Sequence, residues 1–195
     1  MGATEVMLGR ESGLQRMDLS TQGFTWSFAG LLLVVLIDTS GLSAIYNTMA
    51  AANDTISVSK TGFIMGKLIA SGLAYLAAML ALYLLCREPQ EQARFPIAVI
   101  THNWAAPVVS IAVLPLLFVS TFNPATSTAD GAGSVWTLLT MGLTALLILV
   151  GVRLVRISLD VSLSKACLFF AVTTGVSLVC SDGVERLMGL QKLAE

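Results

Sequence analysis

A few polar side chains lie inside long apolar stretches of this sequence. Asp38 and Lys67 each interrupt one stretch, and the only histidine, His102, precedes Asn103 and Trp104 in another. Asp38 and Lys67 could form an ion or proton site, and His102 could act in a gate or proton relay or bind haem. Alternatively, Asp38 and Lys67 form a structural pair or make no contact, and His102 and Asn103 hydrogen-bond to other helices.

Motifs that would carry catalysis are missing from the sequence. There is no GxSxG, HExxH or Walker sequence, and Cys86, Cys167 and Cys180 have neither CxxC nor His spacing. A zinc site or disulfide framework is therefore not expected, and each cysteine is interpreted as a small buried hydrophobic residue. We expect no catalytic residue, no metal and no cofactor, so the chain is predicted not to be an enzyme.

The composition indicates that these polar side chains lie within a chain surrounded by lipid rather than water. Of the 195 residues, 55% are hydrophobic and only 12% are charged, whereas soluble domains have about 25% charged residues. So apolar a chain requires the lipid bilayer as its partner. The net charge of −1 offers no basic face for phosphates, which excludes nucleic acid as a partner.

Five apolar runs are long enough to cross a membrane as helices, which need about 20 apolar residues each. They lack the alternation of barrel strands, so the predicted fold class is all-α, a polytopic membrane bundle. The spans are 24–46, 61–86, 95–121, 133–157 and 162–181. An N-terminal segment, 1–23, is expected to be partly interfacial, and 182–195 to form a short amphipathic tail.

Local signals refine two of the span starts. Pro96 falls at the first helical position of the third span, where proline is tolerated. Asp160 or Ser162 is expected to cap the start of the fifth span.

Lys and Arg residues between the spans predict the orientation. Seven lie on one side and three on the other, with Lys67 inside a span. This bias places the N-terminus in the cytoplasm and the C-terminus outside, and the predicted location is the bacterial inner membrane. The seven are Arg10, Arg16, Arg87, Arg94, Arg153, Arg156 and Lys165, and the three are Lys60, Arg186 and Lys192.

Asp38 and Lys67 fall at similar depths in the first two spans. At 1.5 Å per residue, they lie about 12 Å and about 9 Å from the outer ends of their spans. Consecutive spans form a hairpin, so we expect an Asp38–Lys67 pair in the outer leaflet.

The second span carries a ridge of small residues at four-residue spacing, which allows another helix to approach closely. The ridge could face a helix of this chain or of another subunit. Its members are Gly62, Gly66, Ala70, Ala74 and Ala78.

The third span combines polar residues with a helix breaker. Pro107 has no N–H to donate to the Asn103 carbonyl, so a kink is expected beside the cluster of His102, Asn103, Trp104 and Pro107. Pro115 has the same effect farther along.

Three short motifs mark the last two spans. Trp136 opens the fourth span, Gly151-Val152-Arg153 closes it and Ser164-Lys165-Ala166 begins the fifth. In this arrangement, residues 136–166 resemble the bacterial members of the Yip1 domain family. The resemblance implies a five-span membrane protein with a cytoplasmic N-terminus.

These observations favour a non-enzymatic membrane protein that acts through helix packing. It would be an accessory or assembly subunit of a larger membrane complex, or a membrane-organising protein, with other membrane subunits or further copies of itself as partners. The alternative is a small oligomeric transporter or channel component that uses Asp38, Lys67, His102 and Asn103.

Overall fold

The structure, a computed structural model, describes residues 2–52, 58–122 and 132–190, with side chains described except at 52, 114–122 and 132–137. Within these ranges the ordered elements are helices, and five are long and apolar enough to cross a membrane. The predicted all-α, five-span fold class is therefore confirmed. The helices are α1 Gly2–Met7, α2 Ser12–Gln15, α3 Thr21–Ala52, α4 Lys60–Leu85, α5 Pro89–Phe122, α6 Ala132–Leu159 and α7 Leu163–Leu187.

The starts of the long helices follow from local capping. Ser59 caps α4 by accepting the Gly62 N–H at 3.1 Å, and Ser162 caps α7 by accepting the Lys165 N–H. The prediction of Ser162 as a cap is confirmed. Asp160, the other candidate, has a φ of 57° in the turn before α7.

Helix α5 begins earlier than expected. It starts at Pro89 rather than 95, because Glu91 accepts the backbone N–H of Glu88 at 3.4 Å, as in a capping box. Pro96 therefore lies inside the helix, and the prediction that it occupies the first helical position is wrong.

Helix α7 runs beyond the predicted end of the fifth span. It continues to Leu187, where an Asp182–Arg186 ion pair of 2.8 Å joins successive turns, and a left-handed glycine follows at Gly189. Residues 182–187, expected in a separate tail, are thus part of the span helix; 191–195 lie outside the described residues.

Neighbours in the bundle are not always neighbours along the chain. Helix α3 packs mainly along α5, α4 along α7, and α6 against both α5 and α7. Helices α4 to α7 therefore surround a common centre, with little direct contact between α4 and α5, and α3 packs along α5 and against α4.

One end of the bundle carries the α4–α5 and α6–α7 connections, and we call it the arginine-rich end. Here Lys165 pairs with Glu88 at 2.7 Å and with Glu91, and Arg94 pairs with Asp160 at 2.6 Å. These pairs join the two connections. The basic residues at this end include Arg87, Arg94, Arg153, Arg156 and Lys165.

A small hydrophobic core lies beneath these ion pairs. Cys86 packs there with Leu82, Leu159 and Phe169, and burial raises the pKa of its thiol to about 11. Cys86 is thus buried as expected, but Cys167 is exposed and Cys180 is partly exposed.

The N-terminal helices dock onto the bundle. Val6 of α1 is fully buried and packs with Ala105 of α5 and Leu154 of α6. Glu5 and Arg16 form an ion pair within the segment. Helix α1 therefore covers the seam between α5 and α6.

Candidate functional site

Asn103 joins three helices through hydrogen bonds. Its side chain is fully buried, its Oδ1 accepts from the Tyr75 hydroxyl of α4 at 2.7 Å, and its Nδ2 donates to the Ser27 hydroxyl of α3 at 2.9 Å. The Ser27 hydroxyl donates to the Phe24 carbonyl at 2.7 Å. Each polar atom has a partner, so this network serves as contact between helices.

The expected kink region is where α3 comes closest to α5. Pro107 leaves the Asn103 carbonyl without its helical donor, and a Cβ on Gly30 would lie 2.2 Å from that oxygen. Only glycine allows the two backbones to approach this closely. The Trp104 ring lies at the same contact, 3.6 Å from the position of that Cβ, and Trp104 is 37% exposed.

Lys67 pairs with Glu185 rather than with Asp38, which corrects the predicted ion pair. Lys67 Nζ lies 2.7 Å from Glu185 Oε2, and the other oxygen of Glu185 accepts from Ser181 at 3.3 Å. Asp38 lies beside the Ser110 hydroxyl of α5. The reason is the helix order, because α4 packs on α7 while α3 packs on α5.

The small-residue ridge of α4 is largely buried inside the chain. Gly66, Ala70, Ala74 and Ala78 are buried, whereas Gly62 is exposed and belongs to the helix start. Since α7 is the main neighbour of α4, the ridge is used within this chain.

Between α4, α5, α6 and α7 lies a cavity of about 560 Å³, which we call the slot. Each helix contributes a segment eleven helical steps long, about 16 Å at 1.5 Å per step. The segments are 71–82, 98–109, 147–158 and 170–181. This length is about half of a 30 Å hydrocarbon core.

The slot lining is mainly apolar, with a minority of polar groups and, among the described residues, no Asp, Glu, Lys or Arg. Helix α6 supplies a largely apolar wall, and most polar groups face it from α4, α5 and α7. They are Ser71, Tyr75, His102, Ser158, Thr173, Thr174, Ser177 and Ser181.

Half of these polar groups already have protein partners. The Ser158 and Thr173 hydroxyls donate to backbone carbonyls, Tyr75 donates to Asn103, and Ser181 to Glu185. The other four have no hydrogen bond within the described part of the chain. These four are Ser71, His102, Thr174 and Ser177.

His102 opens onto the slot, with its ring 5.8 Å from that of Tyr75. It is the member of the predicted polar set that lines the slot, since Asn103 is in the three-helix network and Lys67 is paired with Glu185. The structure therefore does not gather Asp38, Lys67, His102 and Asn103 into one site.

Other contacts lie beyond the two ends of the slot. The Lys67–Glu185 pair lies one helical turn beyond Ser71 and Ser181. The core around Cys86 lies at the arginine-rich end. The slot itself is partly open, because the lining residues Ser71 and His102 are exposed. Its mainly apolar lining with a few unused hydrogen-bonding groups is typical of ligand pockets.

The sequence interpretation missed Glu185 and the hydroxyls of α7. Glu185 was assigned to a tail, so its depth was not compared with that of Lys67. A usable signal was present, because Thr174, Ser177 and Ser181 recur every three or four residues, which places them on one helix face.

The five apolar helices define this chain as a polytopic integral membrane protein. Comparison with family models, curated proteins and solved structures finds no match for the chain. The resemblance to the Yip1 domain family stays a prediction. No group of three metal-ligating side chains occurs among the described residues.

Proposed function

We propose that this chain is a non-enzymatic integral membrane protein that binds one small lipophilic molecule from the bilayer in the slot. The observation that supports the proposal is a cavity of about 560 Å³ in which His102 and three hydroxyl side chains have no hydrogen-bond partner among the described residues. This volume lies within the range of about 300–1,000 Å³ found for small-molecule sites. His102 and Ser71 are exposed, and Thr174 and Ser177 are partly exposed. Lipid hydrocarbon offers these groups no hydrogen bond, so a bound molecule with a polar head would satisfy them.

The earlier expectation of an accessory or assembly subunit belongs within this proposal. The α4 ridge supports packing inside the chain, because it is buried there. In a membrane complex, the chain would store a bound molecule or transfer it to other subunits or to further copies of itself. The bias of Lys and Arg residues between the spans supports a cytoplasmic N-terminus, and a bacterial inner membrane stays part of the proposal.

A transporter acting through Asp38, Lys67, His102 and Asn103 has less support from the geometry. Lys67 and Glu185 satisfy each other at 2.7 Å, and Asn103 has three-helix contacts instead of a free face. His102 alone of the four lines the slot.

Blocking the slot tests the proposal. Ala106 lines the slot and Ala112, six residues farther along α5, is exposed outside it. Protein purified in a mild detergent and analysed by native mass spectrometry should carry one bound small molecule. Ala106→Trp should lose that molecule, whereas Ala112→Trp should keep it.

A second pair of variants guards against misfolding. Leu147 lines the slot from α6, and its neighbour Leu146 is 53% exposed. Leu147→Trp should also empty the slot, and Leu146→Trp should not. Equal occupancy in both members of each folded pair, or an empty wild-type protein after extraction in native lipid, would refute the proposal.

A further inference from the structure

We infer that the slot selects an uncharged amphiphile, with a hydroxyl or carbonyl head group hydrogen-bonded near His102 and a single hydrocarbon chain along α6. This inference rests on the proposed function, because it specifies the ligand of the same site. Three features of the slot support it: its charges, the levels of its free polar groups and its length.

The charges around the slot exclude an ionic head group. Among the described residues the lining has no acidic or basic side chain, so a buried ion would have no counter-charge, which is strongly unfavourable. One group of ion pairs lies beyond each end of the slot. Lys67 pairs with Glu185, and Lys165 pairs with Glu88 and Glu91.

Two of the four free polar groups, His102 and Thr174, lie at one level of the slot and can bind a neutral head, whereas Ser71 and Ser177 lie farther along it. His102 is four residues beyond Ala98, and Thr174 four beyond Phe170, the first slot residues of α5 and α7. Both therefore lie about 6 Å from the arginine-rich end of the slot. A neutral imidazole has one donor and one acceptor nitrogen, and a hydroxyl has both functions, so together they can bind an alcohol or a carbonyl.

The remaining length suits a short hydrocarbon chain. From the level of His102, about 10 Å of slot extends to the far end. Leu147 and Val150 of α6 supply the apolar wall along this part. A volume of about 560 Å³ corresponds to a single small ligand rather than a lipid with two long chains.

Probes with the same hydrocarbon chain and a neutral, an anionic or a cationic head group test this inference. Decanol, decyl sulfate and decyltrimethylammonium share one chain. His102 is the only histidine, so the wild-type protein labelled with ¹⁵N-histidine and placed in lipid nanodiscs gives the two ring-nitrogen signals of a single imidazole. Decanol should shift these signals saturably, with an apparent affinity at least tenfold higher than either charged probe.

Variants on α7 and α5 provide the controls. Thr174→Val should weaken decanol binding about threefold or more, whereas Thr144→Val, on the exposed face of α6, should leave it unchanged. Ala106→Trp should abolish the saturable shift.

The two possible failures can be distinguished. If a charged probe binds as tightly as decanol, or if Thr174→Val has no effect, the inferred ligand class is wrong while binding in the slot stands. If no probe gives a saturable shift that Ala106→Trp removes, the slot is not a binding site, and the proposed function fails with the inference.

Discussion

Adding one methyl group at Gly30 should separate α3 from α5. The new Cβ would lie 2.2 Å from the Asn103 carbonyl oxygen, and ordinary contact begins at 3.4 Å, so the helices must move apart by the difference, 1.2 Å. Such overpacking costs about 1–3 kcal/mol. The 2.9 Å hydrogen bond between Asn103 and Ser27 would also be lost, at about 0.6 kcal/mol in a membrane. These costs sum to about 1.6–3.6 kcal/mol, and the better helix propensity of alanine offsets about 1 kcal/mol. Gly30→Ala should therefore destabilise the protein by about 1–3 kcal/mol.

Gly72 provides the matched control for Gly30. It lies inside α4, and a Cβ there would meet nothing within 4 Å. Gly72→Ala should leave stability unchanged or raise it, since alanine favours the helix. The assay is reversible unfolding by SDS in mixed micelles, followed by circular dichroism. If Gly30→Ala is no more destabilising than Gly72→Ala, the close α3–α5 contact is wrong.

Three further predictions concern the ion pair, the buried thiol and the N-terminal helix. Lys67→Met should lower the free energy of unfolding by about 1–2 kcal/mol in the same assay, a modest value because both partners are partly exposed. The double variant with Glu185→Leu should recover most of that stability. Losses that simply add in the double variant would contradict the ion pair. Burial raises the pKa of the Cys86 thiol to about 11. The thiol should therefore resist maleimide at pH 7 and react only near pH 11, where the thiolate forms. Rapid labelling of the folded protein at pH 7 would show that Cys86 is not buried. Val6→Asn should speed tryptic cleavage of the N-terminal segment about tenfold or more, because burial of a valine contributes about 1.5–3 kcal/mol. Leu8→Asn, at a residue that is 63% exposed, should leave the cleavage rate unchanged. Equal cleavage rates for the two variants would contradict docking of α1.

Features that depend on one helix at a time could be predicted from the sequence. A helix that crosses the lipid bilayer needs an apolar run of about 20 residues. The five membrane helices could therefore be predicted from the length of their apolar runs. Ser162 could be recognised as a cap because capping depends on a few adjacent residues. The four-residue spacing of Gly66, Ala70 and Ala74 marks one helix face, and the structure buries that face.

Features that depend on the arrangement of the helices could not be predicted from the sequence. The expected Asp38–Lys67 pair assumed that consecutive spans are the closest neighbours, but α4 packs mainly on α7. The slot is less accessible still to sequence reasoning, because it exists only where four helices leave space between them. No single segment contains it, and the hydroxyl spacing of α7 indicates one of its walls.

The location of a bound amphiphile tests the central claim most directly. A photoreactive decanol analogue, added to the protein in native membranes and mapped by mass spectrometry, should cross-link within the slot segments 98–109 and 170–181. Excess decanol should compete for these sites, and Ala106→Trp should remove them. Cross-links spread over the exposed faces of α3, around Leu32 and Leu36, with no competition by decanol, would show that the molecule merely dissolves in the surrounding lipid and that the slot binds nothing.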